Sequence, residues 1–161
     1  MVEVGQKLPD AEVLLVGEDG QEVVRIADYL ASKKVAIFAM PGAFTSTCSS
    51  SHLPNVIRHK DGLYEKGVDD VVILVVNDPF VVREWAKHSG AFAAGLTMIA
   101  DAGSVFTTAL GMNFSAEAVG FYDRSQRYAL LSENGVVSKF LLEDARGQVL
   151  SSGANHLLER M

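Results

Sequence analysis

A chain of 161 residues with 20 Asp+Glu against 14 Lys+Arg, 48% hydrophobic residues and one cysteine is long enough to bury one well-packed core but short for two, so a single domain over residues 1–161 is expected. The formal charge of −6 repels phosphate backbones and acidic membrane surfaces, and no local Lys/Arg run reverses it; nucleic acid is not an expected partner. The lone cysteine excludes an internal disulfide and a multi-cysteine zinc cluster, and His59, His88 and His156 show no metal-ligand spacing, so no metal or cofactor is expected.

The longest apolar runs, Val35 to Pro41 and Val71 to Val76, are strand-length, far below the about 20 residues of a bilayer span, as in a soluble protein with no membrane partner. The start Met1-Val2-Glu3-Val4-Gly5 lacks the basic, then apolar, build of a secretory signal. The cytoplasm is the expected location, or an organelle after removal of a targeting segment.

In chain order, Glu12 to Val16 reads as a strand, Gly17-Glu18-Asp19-Gly20 as a turn, Ile26 to Ala31 as a short helix and Val35 to Met40 as a buried strand. Leu53, Val56 and Ile57 recur at helical spacing in a segment closing at Gly67, and the β-branched run Val71 to Val76 suits another buried strand. Asp78 suits an N-cap and Pro79 the first helical position of a helix whose Val81, Trp85 and His88 share a face. Leu96 to Ala100 is a strand, followed by a turn at Asp101 to Gly103 and a short helix from Ser104 to Leu110. Arg127 to Leu131 and Val136 to Leu142 flank Glu133-Asn134-Gly135, a hairpin signal, and Ala154 to Arg160 closes as a helix capped by Ser151 or Ser152. Alternating strands and helices with one late hairpin predict an α/β fold, a mixed sheet with helices on both faces.

The most informative stretch is Pro41-Gly42-Ala43-Phe44-Thr45-Ser46-Thr47-Cys48, which joins a buried strand to a helix start and places the only thiol in its first turn. A helix N-terminus presents unpaired N–H groups and the positive end of the macrodipole, which favour a thiolate when a cation assists. A lone cysteine is more often a small buried hydrophobe, but this position reverses that expectation. Thr45, three residues earlier, is placed to cap the helix or to face the same pocket and hydrogen-bond a substrate or the sulfur. The cation is Arg127 or Arg124. Arg127 shares a strand face with apolar Ala129 and Leu131, whereas Arg124 precedes the strand and suits a surface pair with Asp123. Spacing alone leaves Arg127 balanced between this role and a strand-end arginine reaching to water.

These residues resemble a family. Pro41-Gly42-Ala43-Phe44-Thr45-x-Thr47-Cys48 is similar to the peroxiredoxin signature Pro-x-x-x-Thr-x-x-Cys, specifically that of the type II group, the peroxiredoxin-5 subfamily. His52-Leu53-Pro54, Val76-Asn77-Asp78-Pro79-Phe80-Val81 with Glu84-Trp85, Ala100-Asp101 with Gly103, and Arg124-Ser125-x-Arg127-Tyr128-Ala129 follow in the order of that subfamily. The resemblance implies a thioredoxin-like fold and reduction of hydrogen peroxide or alkyl hydroperoxides by Cys48, with Thr45 and Arg127 as the catalytic threonine and arginine. It implies further that Pro41 shields the sulfur, that Gly42 helps shape the substrate site, and that N–H groups of Thr47 and Cys48 hold the substrate oxygens. The helix of Trp85, with the loops near Phe44 and Asn77, is implied as the interface of a homodimer.

Two departures matter. Ser46 stands where the subfamily usually has proline, which loosens the preset helical start. No second cysteine stands near Ser151 or Ile73, where some relatives carry one. The implied cycle therefore uses one cysteine and an external thiol, glutathione with or without glutaredoxin, or thioredoxin, the first being favoured. His52, one turn after Cys48, is read as structural rather than as a general base. Two competing readings are a redox sensor that passes oxidation to a partner without efficient turnover, and a small-molecule-binding domain with an inert cysteine. Retention of Thr45 and Arg127 disfavours the first, and the absence of a phosphate-cradling glycine loop disfavours the second.

Overall fold

The computed structural model describes residues 1–161. Its centre is strand β3 (Lys34–Met40), in which every residue after Lys34 is buried. A strand sends alternate side chains to opposite faces. Ala36, Phe38 and Met40 accordingly enter one apolar cluster, while Val35, Ile37 and Ala39 enter the other. Around it assemble β1 (Glu12–Val16), β2 (Gln21–Arg25), β4 (Asp70–Val75), β5 (Thr97–Ala100), β8 (Tyr128–Glu133) and β9 (Val136–Leu142), in the order β2-β1-β5-β4-β3-β8-β9. Strands β3, β4 and β5 run parallel, and β1, β8 and β9 add antiparallel pairings, so the sheet is mixed. A separate ribbon pairs β6 (Asn113–Ala116) with β7 (Phe121–Ser125).

Helices cover both faces, as expected. Helix α2 (Leu53–Glu65), α3 (Pro79–Ser89) and α5 (Ala154–Arg160) bury Leu53, Val56, Leu63, Val82, Trp85, Ala86, Ala154 and Leu157 on the face of Phe38. Helix α1 (Ile26–Leu30) and α4 (Val105–Ala109) bury Ile26, Leu30 and Phe106 on the other. Each of the larger aliphatic and Phe side chains among these is worth about 1.5–3 kcal/mol relative to exposure. The Asn-Gly hairpin is present, with Asn134 and Gly135 at φ 52° and 77° joining β8 to β9. Asp78 caps α3, accepting hydrogen bonds from the Phe80 and Val81 N–H groups at 2.9 and 3.0 Å.

Two elements have no counterpart in the sequence reading, and two expectations are corrected. Strand β2 is an exposed edge strand lacking the alternation that betrays a half-buried one, and the β6–β7 ribbon is likewise short and mostly half-buried. The buried face of α3 is Pro79, Val82, Trp85 and Ala86, leaving His88 in solvent, because the helix packs one position away from the Val81 stripe. Helix α5 takes Gly153 as its N-cap; Asn55 Oδ1, reaching from α2, accepts the Ala154 N–H at 2.7 Å in place of a Ser151 or Ser152 cap. No helix is long and apolar enough to cross a membrane.

Candidate active site

Strand pairing converges three distant segments on the end of β3. Ala39 pairs with Tyr128, which sets Arg127 beside Met40 and the Pro41 turn. Met40 pairs with Val75, which sets Asn77 beside the loop that follows; its Oδ1 accepts the Ala43 N–H at 2.8 Å. Tyr128 pairs with Leu142, so Glu143 lies next to Arg127 and donates its N–H to the Arg127 carbonyl at 3.0 Å.

The chain leaves β3 at Pro41 and turns through Phe44, whose φ of 62° is rare for a bulky residue and stores about 1–3 kcal/mol of strain. It then enters a helix whose turn Cys48–His52 is π-helical, with the Leu53 N–H reaching the Cys48 carbonyl, before continuing as α2. Pro54 supplies a cause: in a regular α-helix its ring would collide with the Ser50 carbonyl, and the widened turn avoids that clash. The N–H groups of Thr47 and Cys48 have no partner within the protein, as befits the first turn of a helix. Trp85 Nε1 donates to Ser49 Oγ at 3.0 Å, fastening the turn to α3, so Trp85 is an internal residue, 1% exposed, and does not face a partner surface.

Cys48 is fully buried. Arg127, 2% exposed, donates from Nη2 to Cys48 Sγ at 3.2 Å and from Nε and Nη2 to the Arg146 carbonyl at 3.2 and 3.0 Å. Its Nη1 lies 3.0 Å from His52 Nδ1, and His52 Nε2 lies 2.9 Å from the Ser152 carbonyl. Only one tautomer satisfies both contacts: the neutral ring donates from Nε2 and accepts at Nδ1. Burial first, and the neighbouring Arg127 charge second, push the His52 pKa down to about 3, which preserves that neutral form.

Thr45 does not cap the helix; its hydroxyl donates to the Gly42 carbonyl at 2.7 Å, leaving its oxygen lone pairs to accept. Pro41, Thr45, Ser46, Thr47, Phe121 and Arg127 line an open cleft of about 260 Å³ whose wall, through Thr47 and Arg127, adjoins the buried thiol. Gly42 lies behind that wall, where an added Cβ would strike Arg124 Nη1 and press on Asn77 Oδ1. Arg124 is not paired with Asp123. It donates to the Pro41 carbonyl at 3.1 Å and stacks over Phe121 at 5.0 Å, because β7 carries it across to the loop.

Cys48, Thr45, Thr47, Pro41 and Arg127 are thus brought together with Asn77 and His52, and Arg146 and Glu143 are the supporting residues that local sequence does not single out. A buried thiol held by an arginine at a helix start, on a sheet of this topology, defines a thiol-dependent redox enzyme. Residues 3–158 match the Redoxin family. The chain is 40% identical to Peroxiredoxin-2C of Oryza sativa subsp. japonica over 99% of this chain and 98% of that protein. It is likewise 40% identical to the chloroplastic Peroxiredoxin-2E-2 of the same organism, over 99% of this chain and 72% of that one. Among solved structures, the reduced Prx3 of Vibrio vulnificus in complex with hydrogen peroxide superposes with a TM-score of 0.91 at 38% identity, covering 99% of each chain. The chain belongs to the Redoxin family, among the peroxiredoxins, with their thioredoxin-like fold, and is a thiol peroxidase. Such enzymes act on peroxide with thiol reductants.

Proposed function

We propose that residues 1–161 act as one domain reducing hydrogen peroxide and alkyl hydroperoxides through a one-cysteine cycle. The observation that carries the residue roles is the 3.2 Å contact to Cys48 Sγ from Nη2 of Arg127, which itself lines a cleft with Thr45. The Cys48 thiolate attacks the terminal peroxide oxygen; the S–O bond forms as the O–O bond breaks, and the sulfur leaves the step as sulfenic acid. The departing alkoxide or hydroxide takes a proton and leaves as alcohol or water. Arg127 and the free N–H groups of Thr47 and Cys48 donate to the oxygens as charge develops, while Thr45 Oγ1 accepts a hydrogen bond from the peroxide hydroxyl and so orients the O–O axis. Pro41 shields the sulfur, and Gly42 keeps the loop close to Arg124 and Asn77.

The single cysteine supports regeneration by an external thiol: a first thiol condenses with the sulfenic acid to a mixed disulfide and water, and a second releases reduced Cys48. Glutathione, with or without glutaredoxin, or thioredoxin supplies these thiols. Exposed Phe44 and Phe80, at 54% and 63%, support a homodimer through the cysteine loop and α3, testable by sedimentation. A lone free thiol suits a reducing compartment such as the cytoplasm, to be checked by localising the tagged protein. The deciding experiment mixes reduced protein with one equivalent of hydrogen peroxide, follows sulfenic acid at Cys48, then adds each donor and measures turnover. Turnover with a donor supports the cycle; rapid oxidation that no donor reverses overturns it in favour of a redox relay, and the absence of oxidation overturns both.

A further inference from the structure

Glu143 is a buried carboxylate, 6% exposed, at the end of β9, with no cation in ion-pairing reach. Its charge is met instead by one loop. Oε1 accepts the Leu150 N–H at 2.7 Å, while Oε2 accepts the Ser151 and Ser152 N–H groups at 3.0 and 2.9 Å and the Ser152 hydroxyl at 2.7 Å. Burial opposes the charge, but the Ser152 hydroxyl and these N–H groups outweigh it and hold the carboxyl below its ordinary range. The loop so closed is the one that holds Arg127. Arg146, inside it, offers its carbonyl to Nε and Nη2, and Ser152, at its end, offers its carbonyl to the His52 ring that accepts from Nη1. Apart from the sulfur itself, every side-chain contact of the guanidinium therefore runs through this loop or through a ring oriented by it.

We propose that Glu143 is a positioning residue for peroxide reduction: it closes the 143–152 loop so that the Arg146 carbonyl and the Ser152-anchored His52 ring hold the Arg127 guanidinium against Cys48. The proposal rests on the role given to Arg127 above. Glutamine at 143 keeps the volume but brings an NH₂ group among groups that all donate, so the loop loosens and the guanidinium loses its fixed aim. The test is a double-mutant cycle on the rate of Cys48 oxidation in a single turnover, with unfolding midpoints measured in parallel. Glu143→Gln alone is expected to slow oxidation about 10- to 100-fold, the scale on which a displaced catalytic group loses rate. In an Arg127→Gln background it is expected to change nothing, because the group it aims is gone. Equal slowing in both backgrounds, or no slowing of the parent, overturns the proposal. An Arg127→Gln rate equal to that of the parent would instead overturn the arginine assignment, a separate and distinguishable failure. Ser152→Ala, which removes only the hydroxyl donor, enters the same cycle if Glu143→Gln does not fold, and the same pattern at smaller amplitude is required of it.

Discussion

Arg127→Gln separates chemistry from stability. The substitution removes the Nη2 donor 3.2 Å from Cys48 Sγ, together with the bonds to Arg146 and His52. Loss of one pre-aimed donor at a developing charge costs about 10²–10³ in rate, or about 2.7–4 kcal/mol. Stability responds differently. Arg127 is a buried cation with no carboxylate in ion-pairing reach, and taking such a charge out of water costs several kcal/mol even after relaxation. The hydrogen bonds it makes return about 1.5–3 kcal/mol each, so gain and cost nearly offset. A neutral glutamine gives up both sides together, and the net change is expected within about 1 kcal/mol, or about 2–4 °C in midpoint for a chain of this size. Trp85 is the only tryptophan and is bonded to Ser49 in the turn of Cys48, so its fluorescence in a stopped-flow experiment reports oxidation directly, with Cys48→Ser as the silent control. A variant that oxidises within about threefold of the parent refutes the argument from donor geometry; a collapsed midpoint refutes the argument from buried charge.

Other outcomes follow from the same contacts. His52 holds its proton more weakly in the fold, near pH 3, than in the unfolded chain, near 6.5; the unfolded state binds the proton first, and stability is lost on acidification between those values. Denaturant unfolding should show a loss of about 3 kcal/mol from this residue between pH 7 and pH 4, with the lowered Glu143 carboxyl adding a loss of the same sign at lower pH; equal stabilities at the two values would refute it. Asp78→Ala removes the cap of α3 and should cost about 1 kcal/mol in thermal unfolding while leaving the oxidation rate within about twofold. Gly42→Ala forces Arg124 off the Pro41 carbonyl; because the displaced atoms end a flexible side chain, the fold should survive within about 1 kcal/mol while peroxide oxidation slows several-fold.

What the chain reveals before it is folded follows a physical division. Strands buried on both faces, such as Val71 to Val75, announce themselves as β-branched runs, and Asp78-Pro79 and Asn134-Gly135 are local devices whose chemistry is complete within two residues. The thiol and Thr45 were legible for the same reason, since a helix start is a local object, and the strand period put Arg127 on the face of Ala129 and Leu131, where Cys48 is also buried. The illegible parts are those that distance in the chain conceals. Asn55 caps a helix that begins 99 residues later, and Arg124 finds a carbonyl 83 residues earlier. Glu143 carries no local mark, since its partners are N–H groups of a loop whose shape the carboxylate itself sets. Strand β2 escaped because an edge strand in solvent needs no apolar alternation.

The arrangement around Arg127 also explains why its supports are neutral. A carboxylate in contact with the guanidinium would stabilise it more cheaply, but under the role proposed for Arg127 it would neutralise the field offered to the sulfur and the O–O bond. Here the guanidinium is held by a carbonyl, by an imidazole lone pair and by the sulfur, none of them a carboxylate. Glu143, the nearby buried anion, is kept one step back and satisfied by loop N–H groups and the Ser152 hydroxyl. His52 can fill its place only while neutral: protonation would remove the lone pair that accepts from Nη1 and set a second cation against Arg127. Under the role proposed for Arg127, the depressed basicity of His52, the burial of Arg127 away from any carboxylate and the loop-bound charge of Glu143 all serve one requirement, an undiluted positive charge aimed at Cys48.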